Sequence, residues 1–109
     1  MATIPVDSRI GSKTAEFVSR QHRMLIDGRF VSAASGKTFP VYNPATGEVI
    51  AHVPEAEVED VDRAVAAARR AFDDGPWSRM STSERGKLIW KMADLLEANL
   101  EEFAEIVRV

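Results

Sequence analysis

The chain has 109 residues, 45% hydrophobic and 28% charged, with no cysteine. This length allows one modest domain that buries roughly 60–70% of the surface its unfolded form exposes, and the composition excludes a disordered or collagen-like chain. The net charge of −3 comes from 17 acids interspersed with 14 bases, which leaves no basic stripe for nucleic acid, and without cysteine the chain holds no disulfide, thiolate metal site or cysteine nucleophile.

Residues 1–20, "MATIPVDSRIGSKTAEFVSR", read as a polar N-terminal arm, mobile or peripheral. Arg9, Lys13 and Arg20 stand among serines, but Asp7 and Glu16 interrupt the pattern of an organelle transit peptide, and the continuous apolar core of a secretory signal is missing. No apolar run approaches the roughly 20 residues that a bilayer demands. A cytoplasmic protein without membrane association is the expectation.

Strands are expected over about 22–54. In "MLIDGRFV" two apolar runs flank Asp27-Gly28, a dipeptide that readily takes the positive φ angles of a tight hairpin. "SAASGKT" follows as a surface turn around Gly36. In "TFPVY", Phe39 and Val41 point one way, while Pro40 lacks an N–H and confines the segment to a sheet edge. "NPATG" reverses the chain, with Asn43 initiating, Pro44 presetting φ and Gly47 free to turn left-handed. "EVIAHVP" then alternates Val49, Ala51 and Val53 against Ile50 and His52, a strand that ends at Pro54.

From Glu57 the period changes to about 3.6. A helix over about 57–73 places Val58, Val61, Val65, Ala68 and Phe72 on one stripe, expected to be its core face, with acids in the first turn and arginines towards the end. Gly75 and Pro76 break it, and Trp77 is expected to plug the corner between helices. "STSE" has the spacing of a capping box, so a second helix over about 82–98 starts at Ser81 and buries Leu88, Ile89, Met92, Leu95 and Leu96. Asn99 and Glu102 repeat that spacing and predict a third helix over about 100–109, burying Phe103, Ile106 and Val107. "EIVRV" has no terminating Gly, Asn or Pro, so the chain is expected to be cut at Val109, and its helices present more apolar surface than short hairpins cover.

Catalytic motifs are absent from the sequence. No glycine-rich phosphate loop or GxSxG elbow occurs, and His22 and His52 have no metal-ligand spacing, so both read as structural. Glu57, Glu59, Asp60 and Asp62 could be imagined as an acid–base cluster, but solvation and the helix dipole explain them at lower cost. Trp90 lies near the edge of its helix's apolar face and suits an interface.

Taken in order, "IDGRFV", "SGKTF", "NPATGEVI", "DVDRAVAAARRAF", "GPWSRMS" and "ERGKLIWKMADLLEANLEEFA" resemble the N-terminal portion of NAD(P)-dependent aldehyde dehydrogenases over roughly residues 24–109. The resemblance implies an α/β fold in which an N-terminal β-hairpin and strands precede two to three helices. Residues 21–109 would be part of a subunit with a Rossmann-like coenzyme domain. It implies NAD or NADP as coenzyme, an aldehyde substrate of the phenylacetaldehyde type with betaine aldehyde as runner-up, and a homo-oligomer. It also implies that the nucleophilic cysteine, the glutamate base and the coenzyme motifs lie elsewhere, so that this chain alone is inactive. One implied site touches the chain: the backbone carbonyls of Val41 and Tyr42 would help hold a monovalent cation, completed by an acidic side chain at about the position after Val109. The competing reading is a stand-alone α+β protein-interaction module that docks through its apolar helix faces.

Overall fold

The computed structural model describes residues 10–108. The first nine residues of the polar arm and Val109, the expected end of the third helix, lie outside them. The described residues form two separate antiparallel ribbons and five helices.

The first ribbon pairs β1 (Met24–Ile26) with β2 (Arg29–Val31). Its turn works as its sequence suggests: Asp27 has φ 54° and Gly28 φ 72°, and two successive positive angles give the turn whose twist matches that of the strands. Arg70 reaches back from the second helix to the Asp27 carboxylate at 3.3 Å.

The second ribbon pairs β3 (Thr38–Tyr42) with β4 (Val49–Pro54), and Pro40 stands opposite His52 on a strand that has β4 as its one partner among the described residues. Asn43 organises the turn. Its Oδ1 accepts the Ala45 N–H at 2.8 Å, its carbonyl accepts the Gly47 N–H at 2.8 Å, and its own N–H donates to the Glu48 carbonyl at 2.8 Å. Gly47 has φ 74°, the left-handed conformation that closes the turn. Asn43 is buried, with its Oδ1, carbonyl and backbone N–H all held by local partners.

Helix α1 (Ser12–Ser19) stands where the sequence suggested only an arm. It packs against β4 and the last helix, and it docks through a polar residue: Thr14 is 1% exposed. An apolar period could not reveal such a helix, since its most buried position is a hydroxyl.

Helix α2 (Val58–Asp74) has its expected bounds within a residue or two but docks by a different face. Asp60, Ala64 and Ala67 turn inward, whereas Val58, Val61, Val65, Ala68 and Phe72 are exposed. Asp60 is the reason. Its carboxylate, 1% exposed, accepts the Ala34 N–H at 3.1 and 3.2 Å and the Glu57 N–H at 3.1 Å, with Arg63 at 3.9 Å. Small alanines beside it let the helix lie close to the chain around Ala33, itself buried. The acid that looked like a solvated first-turn residue is therefore the anchor, and the valine stripe is left open.

Gly75 leads into a short α3 (Pro76–Arg79), where the sequence suggested only a break, and Trp77 remains half exposed rather than sealed into a corner. Helix α4 (Thr82–Ala98) opens with the expected capping box: the Ser81 N–H donates to Glu84 Oε2 at 2.7 Å and the Glu84 N–H to Ser81 Oγ at 3.2 Å. The face expected to be buried, Leu88, Ile89, Met92, Leu95 and Leu96, is exposed instead. In α5 (Leu100–Arg108), Ile106 is half-buried while Phe103 and Val107 are exposed. The Asn99 side chain serves the helix before it, its Nδ2 donating to the Leu95 carbonyl at 2.8 Å, while its carbonyl accepts the Phe103 N–H of α5.

These exposures share one cause. The buried hydrophobic residues among those described are Ile26, Ala33, Ala51 and Ala67, too few and too small to gather the large side chains around them. The radius of gyration is 17.4 Å, against about 13 Å for a compact chain of this length. Helix α4 makes contact with α5.

Asp60→Ala is expected to destabilise the chain by about 1–3 kcal/mol, because two backbone donors lose their acceptor. Urea unfolding reads the loss, and amide exchange localises it to Ala34 and Glu57. Asp62→Ala, on the exposed side of the same turn, should stay within about 0.5 kcal/mol of the parent.

Candidate functional site

The two residues singled out for cation binding are the last two of β3. Val41 is half-buried and Tyr42 exposed. A register shift falls between them: Val41 faces Ala51 while Tyr42 faces Val49, which makes Ile50 the extra residue of a bulge. The extra residue lies on β4, so the carbonyl alternation is disturbed there, while Val41 and Tyr42 stand opposite it on β3. The donor set offered here is two neutral backbone oxygens, a hard-oxygen set suited to alkali cations rather than transition metals. Among the described residues no group of three His, Asp or Glu side chains is placed to hold a metal.

Of the two histidines, His22 has local partners. His22 sits edge-on to Phe17, with ring centroids 5.3 Å apart, and its Nε2 lies 3.4 Å from the Val18 carbonyl. The Arg20 guanidinium covers the same Phe17 ring at 4.3 Å. His52 is exposed on β4.

The four acids at the start of α2 do not converge on one point. Asp60 is turned inward to backbone donors, and Glu57 pairs with Lys37 at 3.4 Å. Glu57, Glu59 and Asp62 instead line, with Ala56, Val58 and Val61, a mainly apolar hollow of about 610 Å³. It is wide open to solvent, so it lacks the water-excluding walls that acid–base chemistry requires. Among the described residues, neither two-stranded ribbon feeds a glycine-rich turn at a helix N-terminus.

One polar cluster left no trace in the sequence pattern. Glu105 on α5 accepts the Thr14 hydroxyl at 2.5 Å and the Gly11 N–H at 3.0 Å, closing the N-terminus of α1 across more than ninety residues. The Thr14 bond above all, then the Gly11 N–H and the nearby Arg108 charge, hold the Glu105 carboxyl below its ordinary value. Glu84 is lowered in the same direction by the Ser81 N–H and hydroxyl. No local motif links residues so far apart, and only the folded chain reveals the pair.

A depressed carboxylate contributes stability that is present above its unfolded pKa and disappears as pH falls through the folded value. Acidification below the ordinary carboxylate range should therefore release α1 from α5. The Gly11 amide resonance is expected to titrate with a midpoint below that of a free glutamate, and to stay flat across that range in Glu105→Gln.

Comparison with known proteins gives this geometry a setting. The profile of the aldehyde dehydrogenase family matches residues 30–109. The chain is 56% identical over 84 residues to aldehyde dehydrogenase family 2 member B4, mitochondrial, of Arabidopsis thaliana, covering 77% of this chain and 16% of that protein. It is 56% identical over 84 residues to the mitochondrial benzaldehyde dehydrogenase of Antirrhinum majus, with the same 77% and 16% coverage. The solved NAD+ complex of an aldehyde dehydrogenase from Bacillus cereus superposes with a TM-score of 0.81 at 49% identity, over 95% of this chain and 20% of that one. The chain thus spans a fifth or less of the length of these relatives.

Proposed function

The chain belongs to the aldehyde dehydrogenase family, and from that premise we propose that it is the N-terminal portion of an NAD(P)-dependent enzyme that is inert by itself. The whole enzyme converts an aldehyde, NAD(P)+ and water to a carboxylate and NAD(P)H through a cysteine thioester. The observation that carries the reading is the coincidence of a fold shared at TM-score 0.81 with coverage of only 20% of the solved chain. This sequence has no cysteine for the thioester, and its ribbons offer no cradle for the coenzyme. Its residues supply scaffold: a docked helix, an Asn-Pro turn and two ribbons that present α2 and α4 to a larger body.

An aromatic aldehyde such as phenylacetaldehyde is the proposed substrate class, supported by the identity to a benzaldehyde dehydrogenase. Homo-oligomeric assembly and a cytoplasmic location belong to the same proposal, and the two plant relatives, both named mitochondrial, supply the competing location. The Val41 and Tyr42 carbonyls would contribute oxygen to a monovalent cation at the end of β3, opposite the Ile50 bulge of β4. The exposed apolar helix faces favour a second reading, a stand-alone α+β interaction module. Cooperative melting of a monodisperse chain would speak for that reading, and aggregation against it.

Incubating the purified chain with NAD+ and phenylacetaldehyde should produce no NADH absorbance. Turnover well above a protein-free blank would overturn the proposal of inertness. Exchanging choline chloride for potassium chloride at constant ionic strength should shift the Tyr42 and Asn43 amide resonances saturably, and a linear response would count against cation binding.

A further inference from the structure

The turn between α1 and β1 carries positive charge that nothing around it answers. In a chain of 17 acids and 14 bases, "RQHR", Arg20 to Arg23, sets two guanidinium groups and an imidazole within four residues and without an acid. The nearest acids in sequence do not neutralise it. Asp27 is paired with Arg70 at 3.3 Å, and Glu16 makes no ion pair among the described residues. Arg20 and Arg23 have no carboxylate partner there either.

These residues line a hollow of about 290 Å³ together with Gln21 and Phe30. Ligand pockets begin at about 300 Å³, so the space suits a small molecule. Its parts are already held in place by their neighbours. The Arg20 guanidinium lies 4.3 Å from the centroid of the Phe17 ring, and His22 sits edge-on to that ring with its Nε2 3.4 Å from the Val18 carbonyl. A guanidinium that rests on a ring keeps its N–H fork for a carboxylate. The place of Arg20 at the C-cap of α1 also suits the helix dipole, an explanation that does not extend to Arg23. Phe30 joins from β2, 67% exposed, and so sets an uncovered aromatic ring beside the cations.

We propose that this hollow binds a small aromatic carboxylate, its carboxylate taken by the Arg20 and Arg23 guanidinium groups and its ring lying against Phe30. A bare anion would leave the ring unused, and a neutral aromatic would leave both arginines unanswered. Every lining group belongs to this chain, and the site does not rest on the reading of the preceding subsection. Loss of binding would therefore leave that reading standing.

The test titrates the full chain with phenylacetate at constant ionic strength and follows the amide resonances of Gln21, His22, Arg23 and Phe30. Saturable shifts confined to this turn and β2 are expected. Acetate, which lacks the ring, and phenylacetamide, which lacks the charge, should each bind about tenfold more weakly. Arg23→Gln should weaken phenylacetate binding by about tenfold and Phe30→Ala by about threefold. Both positions are exposed, so an unchanged circular dichroism spectrum will show that folding is intact. Arg20→Lys keeps the charge but loses the fork and should also bind more weakly, whereas Lys87→Gln on α4 should bind as the parent does.

Shifts that grow linearly with phenylacetate, or binding that Arg23→Gln leaves unchanged, would overturn the proposal. Inorganic phosphate binding as tightly as phenylacetate, with Phe30→Ala without effect, would reduce the hollow to a bare anion site and overturn it as well.

Discussion

The arrangement depends on a single buried carboxylate. Asp60 accepts backbone N–H groups from Ala34 and from Glu57, and so ties the turn after the first ribbon to the first turn of α2. Burying an ionised side chain is costly unless its lone pairs are filled, and here three hydrogen bonds with Arg63 nearby fill them. The docked face of α2 is consequently its small, polar-anchored side. Once that face is chosen, geometry turns the valines and Phe72 outwards.

A second carboxylate closes the opposite end. Glu105 receives the start of α1 and brings the earliest described residues to the last helix. Between these two polar clamps the hydrophobic contribution is modest, since the buried hydrophobic residues among those described are one isoleucine and three alanines. The described structure is thus held by directed hydrogen bonds and turn geometry, while most of its large apolar side chains remain uncommitted. That balance suits a piece of a larger enzyme: the specific local contacts are internal and the bulk hydrophobic contacts are left for the remainder.

Local chemistry was legible in the sequence wherever a few neighbouring residues decide it. Asp27-Gly28 dictates a turn with two positive φ angles, Asn43 to Gly47 a reversal, and Ser81 with Glu84 a capped helix start, and all three occur as read. The family, too, was legible from the order of such pieces. Which face of a helix docks was not. Periodicity reports the stripe that prefers burial, and for α2 and α4 that stripe is open among the described residues. The roles of Asp60 and Thr14 were hidden for a related reason, because a buried polar residue looks like a surface one until its partners, here 26 and 91 positions away, are in view. Asn99 shows the local limit, as the side chain of one asparagine between two helices can cap either and only its Leu95 contact decides.

Amide hydrogen exchange on the isolated chain, resolved by element, tests the central claim most directly. Residues of β3, β4 and the Asp60-anchored start of α2 should be protected well above α4, whose amides should exchange far faster because its apolar face is open among the described residues. Protection of α4 equal to that of α2 would contradict the account, since it would mean that the chain covers by itself the faces described here as open.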